Sequence, residues 1–360
     1  MDRSRRRLLF APLALLGGRA VASVEFPDVR EGVTLAFPRD EGAHSAFRNE
    51  WWYVTGWLRD AQARERGFQI TFFRNRPGVA EASDSRFAPR QLLFAHAALA
   101  DPADGRLVID QRAAREGFEL ASASERAVDV RIDDWTLAAD DDGYRAVVRG
   151  SAFSLQLALA ARSPILLQGT EGVSRKGTDP RDASYYYSRP QLDVSGSLTL
   201  HERPISVTGA AWLDHEWSSR YLMAGAVGWD WAGVNLDDGG ALMVFCIRDA
   251  RGGTLWAGGA HRDGQGTRRV FGPADVAFAP VRRWRSPRTG VTYPVSFRVR
   301  TDAREWLLEP LFDDQELDAR AGVGVLYWEG AVRAVSAVSD GRSAGRGYLE
   351  LTGYGEPLRI

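Results

Sequence analysis

From about residue 49 onward the chain alternates short apolar runs with turn formers. The runs WWYVTGWL (51–58), GFQITFF (67–73), LLFAHAAL (92–99), YRAVVRG (144–150) and FSLQLALAA (153–161) are rich in aromatic and branched side chains. SGSLTL (195–200), ALMVFCI (241–247), TYPVSFRVRT (292–301), EWLLEPLF (305–312) and GYLELTGY (347–354) continue the pattern. Between them lie Asp104-Gly105, Asp141-Asp142-Gly143, Asp237-Asp238-Gly239-Gly240, Asp263-Gly264 and Asp340-Gly341. Short strands closed by Asp-Gly turns predict antiparallel hairpins in a sandwich or barrel. No long helical period carries caps, so the expectation is an all-β chain, with a short helix from 80–91 or from Asp314–Arg320. Residues 168–190 form the longest unpatterned piece, a length that marks a functional or mobile loop, and Tyr185-Tyr186-Tyr187 at its end reads as the return to a strand.

A faint internal repeat refines this. EWWYVTGWLRD (50–60) overlays GWDWAGVNLDD (228–238), matching Trp51 with Trp229, Tyr53 with Trp231, Leu58 with Leu236 and Asp60 with Asp238. The strand after each turn matches Gly67 with Gly240 and Phe72 with Phe245, and Thr208-Gly209 echoes Thr352-Gly353. Duplication would give halves of roughly 150–200 residues, the size of an eight-stranded barrel that can hold a ligand.

The densest chemistry lies in Trp212-Leu213-Asp214-His215-Glu216-Trp217. On a strand, His215 and Trp217 share one face with Leu213, while Asp214 and Glu216 point the other way with Trp212. The barrel reading turns His215 and Trp217 to the lumen. Burial there favours a neutral imidazole that relays a proton or bonds a ligand hydroxyl, or one simply satisfied by a neighbouring carboxylate or carbonyl. Asp230, between Trp229 and Trp231, must be paired with an arginine or raised in pKa as an available acid. Trp51, Tyr53, Trp229 and Trp231 are expected to line an apolar cavity or floor a barrel, and Tyr186 joins them as a candidate ligand contact. An acid, Asp214 or Asp230, within one water of His215 in a shared cavity would mark an enzyme; acids committed to arginines outside it would mark a carrier.

Composition narrows the classes. The 360 residues are 44% hydrophobic and 26% charged with a net charge of −1, which gives no footprint for nucleic acid. Cys246 is the lone cysteine, so neither an intramolecular disulfide nor a thiolate metal site can form. The five histidines show no i, i+4 pair, and no metal is expected. G-x-S-x-G, P-loop and dinucleotide fingerprints are missing, so no serine hydrolase and no nucleotide cofactor is implied. Lys176 is the only lysine among 46 basic residues. Residues 1–22 combine a basic start, an apolar run from Leu8 to Leu16 and Ala20-Val21-Ala22, an export leader whose Ser4-Arg5-Arg6-Arg7-Leu8-Leu9 fits the twin-arginine pattern. The mature protein is then periplasmic or secreted.

The stretches NEWWYVTGWL, FAHAAL, GVSRKG, YYYSRP, SVTGAAWLDHEWSS, GWDWAGVNLDDGGALMVFCIRD, YWEGAV and GRGYLELTGY, in this order from about residue 44 to the C-terminus, resemble the AttH-like/carotenoid 1,2-hydratase family of lipocalin-like proteins. The resemblance implies two consecutive lipocalin-like barrels, at 23–221 and 222–360, and a hydrophobic small-molecule ligand. For hydratase members it implies addition of water to an isoprenoid double bond without a cofactor. It also implies a His-x-Trp pair, supplied by His215 and Trp217, with a Tyr-x-Asp pair on a nearby strand. Phe245 and Ile247 fall where that second pair is expected, so Asp214 or Asp230 would have to act as the proton donor. The rival expectation is a non-catalytic carrier delivering its ligand to a membrane-associated transporter. Neither reading specifies an oligomeric state.

Overall fold

The structure, a computed structural model, describes residues 24–79, 81–302, 304–320, 324–336 and 343–358; the leader read at 1–22 lies outside them. Its strands fall into two antiparallel sheets, each curled around its own apolar interior. The first opens with a meander of β1 (Asn49–Asp60), β2 (Glu65–Asn75), β3 (Leu92–Asp101) and β4 (Arg106–Arg115). It continues through β5 (Ala121–Ala123), β6 (Asp129–Ile132), β7 (Trp135–Asp140), β8 (Gly143–Arg149) and β9 (Phe153–Ala161). Short β10 (Leu166–Leu167) and β11 (Val173–Arg175) precede the long hairpin of β12 (Ala183–Leu200) and β13 (Arg203–Arg220).

The second sheet repeats the plan with β14 (Ala226–Leu236), β15 (Ala241–Asp249), β16 (Thr254–Arg262) and β17 (Arg268–Phe271). Then come β18 (Val276–Arg285), β19 (Thr292–Thr301), β20 (Arg304–Pro310), β21 (Glu316–Ala319), β22 (Val325–Ser336) and β23 (Ser343–Leu351). In both, the fourth, third, second and first strands run in spatial order and the first pairs with the last: β1 with β13, β14 with β23.

Strands far from the other sheet alternate cleanly. Phe153, Leu155, Leu157 and Leu159 of β9 point inward between more exposed neighbours, as a half-solvated antiparallel strand should. β1, β2 and β15 along nearly their whole length, and β13 over 211–218, are instead buried on both faces, because their outer faces pack on the opposite sheet. A third apolar cluster fills that interface, with Tyr53, Trp57, Trp212, Trp231, Phe245 and Tyr348 at its centre. Close approach there requires Gly67, where a Cβ would come within 2.6 Å of both Ala331 Cβ and the Tyr348 hydroxyl. A bulge at Gln191, in the left-handed region at φ 57°, lets its amide reach Leu236 and Gly240 carbonyls of the second sheet at 2.9 and 2.7 Å.

Several local expectations need correction. Residues 81–91 are turns and Glu316–Ala319 is strand β21; the short helix is a 3-10 turn at Arg39–Glu41. Within 168–190, β11 pairs with β12, which begins at Ala183, so the piece is largely structured. Trp51 and Trp229 do occupy matching places, but Trp51 lies opposite Phe73 and Trp229 opposite Ile247. Phe73 therefore corresponds to Ile247, and Phe72 to Cys246. Matching Phe72 with Phe245 slips one residue and exchanges the faces. Gly209, opposite Leu58, corresponds to Gly345, opposite Leu236, rather than to Gly353.

Candidate active site between the two barrels

β13 sorts the sequence candidates onto two faces. His215, Trp217 and Leu213 point into the first barrel, whose interior is packed rather than hollow. His215 is fully buried, stacked on Trp52 with centroids 4.7 Å apart. Its Nε2 lies 2.9 Å from Glu50 Oε1 and its Nδ1 3.2 Å from the Tyr187 hydroxyl. Burial lowers its pKa against the pull of Glu50, so the ring is neutral. Trp217 stacks on His44 at 3.7 Å. The expectation that these two rings face a ligand lumen is thus replaced: His215 is satisfied by a carboxylate in a filled core.

Glu50 is the hub of that network. It accepts from Arg74 Nε at 2.7 Å, from the His44 backbone amide at 2.9 Å, and meets His44 Nδ1 at 2.8 Å. Burial opposes its charge, but Arg74 and the two imidazoles hold its pKa well below the usual range. His44, Glu50 and His215 bring three possible metal-ligand atoms within 4.8 Å of one another. With Arg74 and the backbone amide already saturating the carboxylate, hydrogen bonding accounts for the cluster and a dication would face a guanidinium.

Asp230 also leaves the group. It faces the second barrel, accepting from Arg248 Nε at 2.9 Å and the Tyr354 hydroxyl at 3.0 Å. Burial still raises its pKa to about 6 despite Arg248. Asp214, His215 and Asp230 therefore share no cavity: Asp214 lies on the opposite face of β13 from His215, and Asp230 in the other barrel.

The cavity, about 230 Å³, lies between the sheets on the face of Asp214. Trp51, Tyr53, Tyr186, Trp229 and Trp231 all line it. Trp51 stacks on Trp229 at 6.3 Å and Tyr53 meets Trp231 edge-on at 5.3 Å, so each matched pair meets across the interface like the two sides of a pseudo-dyad. Phe73, Phe245 and Ile247 complete an apolar wall.

Set in that wall are Asp214, a candidate from the sequence, and two glutamates the sequence reading passed over, Glu329 and Glu350. Asp214 Oδ1 accepts from Ser188 Oγ and from Trp212 Nε1 at 2.6 Å, and Oδ2 from the Tyr186 hydroxyl, which itself accepts from Trp231 Nε1 at 3.0 Å. Burial outweighs these donors, and the charge of Glu216 assists it; the Asp214 pKa rises to about 7. Across the interface, Glu329 and Glu350 stand directly opposite each other on β22 and β23. Both line the cavity; Glu329 is buried and Glu350 half-buried. Burial raises both well above the carboxylate range; the charge of Glu350 lifts Glu329 further, and those of Glu216 and Asp214 lift Glu350. Two such groups cannot both ionise cheaply, so the pair holds at least one proton at neutral pH. His96 adds a neutral imidazole, its pKa lowered to about 4 by burial, with Nδ1 2.9 Å from the Tyr327 hydroxyl.

Corrected register explains the layout. Asp214 faces Tyr53 on β1 and Glu350 faces Trp231 on β14, so the two acids are equivalent. Ser188, opposite Asp214, corresponds to Glu329, opposite Glu350. The first barrel gives its acid a hydroxyl; the second gives its acid another acid.

Two curled antiparallel sheets with an acid-bearing apolar cavity between them define a lipocalin-like double barrel. The model of the AttH-like family matches residues 28–354, and the chain belongs to that family. It is similar to the crystal structure of a protein assigned as AttH from Nitrosomonas europaea, at 50% identity and a TM-score of 0.85, over 91% of this chain and 100% of that one. It also resembles kievitone hydratase from Nectria haematococca, at 14% identity and a TM-score of 0.70, over 93% of this chain and 97% of that one. CghA bound to Sch210972 matches at 11% identity and a TM-score of 0.52, over 86% of this chain and 89% of that one. The last two likenesses are of fold. No curated protein matches the chain.

Proposed function

We propose that the protein binds a hydrophobic, unsaturated small molecule between its barrels and adds water to a C=C bond without a cofactor. One observation carries this reading: two acids, Glu329 and Glu350, stand opposite each other in the wall of an aromatic cavity, where burial and like charge favour keeping a proton on the pair. A protonated glutamic acid there can deliver that proton to an alkene carbon, and the resulting cation faces the rings of Trp51, Tyr53 and Trp229. Water then attacks the cation. Asp214, with a pKa of about 7, takes up the surplus proton, and exchange with solvent restores the glutamic acid. Environments that push neighbouring carboxyls apart in pKa are what such a division of roles needs. The fold shared with kievitone hydratase supports the assignment.

Phe245 and Ile247 favour a second reading, because they give the cavity wall apolar groups where the resemblance implies a proton donor. A periplasmic carrier working with a membrane transporter needs no more than that wall. The readings separate by identifying lipids that co-purify with the protein and incubating them with it in isotopically labelled water. Hydratase activity predicts a product carrying one labelled oxygen with wild type and little with Glu350→Gln. Recovery of the compound unchanged from every variant would leave the carrier.

A further inference from the structure

Every lysine or arginine position of the chain except 176 is arginine, and Lys176 lines the cavity, where the other cation, Arg74, is already paired with Glu50. It follows β11, and its ammonium sits 2.9 Å from Glu216 Oε1, with the Lys176 and Glu216 side chains only 9% and 6% exposed. Nζ also lies 4.2 Å from the ring centre of Phe245 and 5.1 Å from that of Tyr186. Pairing with a carboxylate does not call for lysine. Arginine does it with a planar fork, as Arg74 and Arg248 do for Glu50 and Asp230. What a primary amine offers and a guanidinium does not is the ability to release a proton and attack carbon. Of the three ammonium donors, Glu216 takes one, leaving others to a guest in the cavity.

We propose that Lys176 captures the carbonyl carbon of a hydrophobic aldehyde or ketone as a reversible imine, with Glu216 as counter-ion and proton shuttle. This rests on the cavity being the ligand site. The ammonium passes one proton to Glu216, and the freed lone pair of Nζ forms a C–N bond to the carbonyl carbon. A second proton moves from nitrogen to the former carbonyl oxygen. Glu216 then returns its proton to that hydroxyl, the C–O bond breaks and water leaves. Ammonium and carbonyl have become iminium and water, with no change of oxidation state. The positive charge stays over the faces of Phe245 and Tyr186 and against the Glu216 carboxylate throughout. In a conjugated ligand the iminium also draws electrons from the β-carbon, the position at which water would add.

A single lysine makes the test direct. Decanal is added to the full chain, the mixture is reduced with sodium borohydride, and intact mass and peptide maps locate the adduct; decanol, which cannot form an imine, is titrated in parallel by tryptophan quenching. Wild type is expected to carry one reduced adduct on the peptide containing Lys176. Lys176→Arg, or Lys176→Met if the guanidinium disturbs packing, is expected to lose it while decanol still quenches. Decanol binding by wild type without an adduct at Lys176, or with one only at the terminal amine, overturns the proposal. Failure of wild type to bind decanol overturns the cavity reading itself, and this inference with it.

Discussion

Replacing Asp214 with asparagine tests the electrostatics of the cavity without changing its shape. Asparagine keeps an oxygen for the Trp212 and Ser188 donors and cannot ionise. In the folded protein the Asp214 pKa is about 7, against an ordinary value of 3.8. The folded state therefore holds a proton that the unfolded chain has released, so stability from this group is complete below pH 4 and is lost as pH rises toward 7 and beyond. Each pH unit in that window is worth about 1.4 kcal/mol, and the whole interval about 4 kcal/mol. Full burial means that solvent screening takes little from this figure. Urea unfolding of wild type and Asp214→Asn, followed by tryptophan fluorescence at a series of pH values, cancels the groups common to both. The variant should gain about 4 kcal/mol on wild type between acid and mildly alkaline pH. Profiles that stay parallel within about 0.5 kcal/mol would show the carboxylate ionised throughout, held by its three donors, and would refute the reasoning.

Glu350→Gln and Glu329→Gln should each lower hydration of the co-purified compound by about 100-fold or more, the usual contribution of a positioned acid, with ligand affinity little changed; equal turnover by both variants and wild type would remove the pair from the chemistry. His215→Ala should cost about 3 kcal/mol or more in unfolding experiments, through the cavity left beside Trp52 and the partner lost to Glu50. Its ligand affinity should stay at the wild-type value, and a selective loss of binding in a stable variant would contradict the placement of that ring. Lysine at both Arg5 and Arg6 should hold a reporter fused to the leader in the cytoplasm, and undiminished export would exclude the twin-arginine route.

The β content, the hairpin turns and the alternation along β13 were legible because period and turn chemistry are local. His215 with Trp217, and Asp214 with Glu216, lie on opposite faces as a strand requires. Which face meets the ligand was not legible. Strands buried on both sides present apolar residues to both, and nothing in Trp-Leu-Asp-His-Glu-Trp says which side packs on a second sheet. Histidine drew attention as the usual proton carrier, yet its partner Glu50 lies far away in sequence and is joined to it only through the pairing of β1 with β13. Glu329 and Glu350 had a readable signal, an acid flanked by aromatic and apolar residues in LYWEGAV and YLEL. The repeat would have mapped Asp214 onto Glu350 had its register been set by the glycines at 209 and 345. Matching Gly209 with Gly353 instead hid this, because it set the last strand of the second sheet out of register with that of the first. Lys176 needed no register at all: its uniqueness was plain, and only its approach to Glu216 gives that uniqueness a chemical meaning.

The central claim is one of place: the ligand lies between the barrels, among Trp51, Trp229, Asp214 and the Glu329–Glu350 pair. A crystal structure of the protein with its co-purified compound tests it most directly. The account predicts ligand density bounded by the two tryptophans, with a polar or unsaturated atom within hydrogen-bonding or proton-transfer reach of Glu350. Density inside the first barrel, against His215 and Trp217, would contradict it.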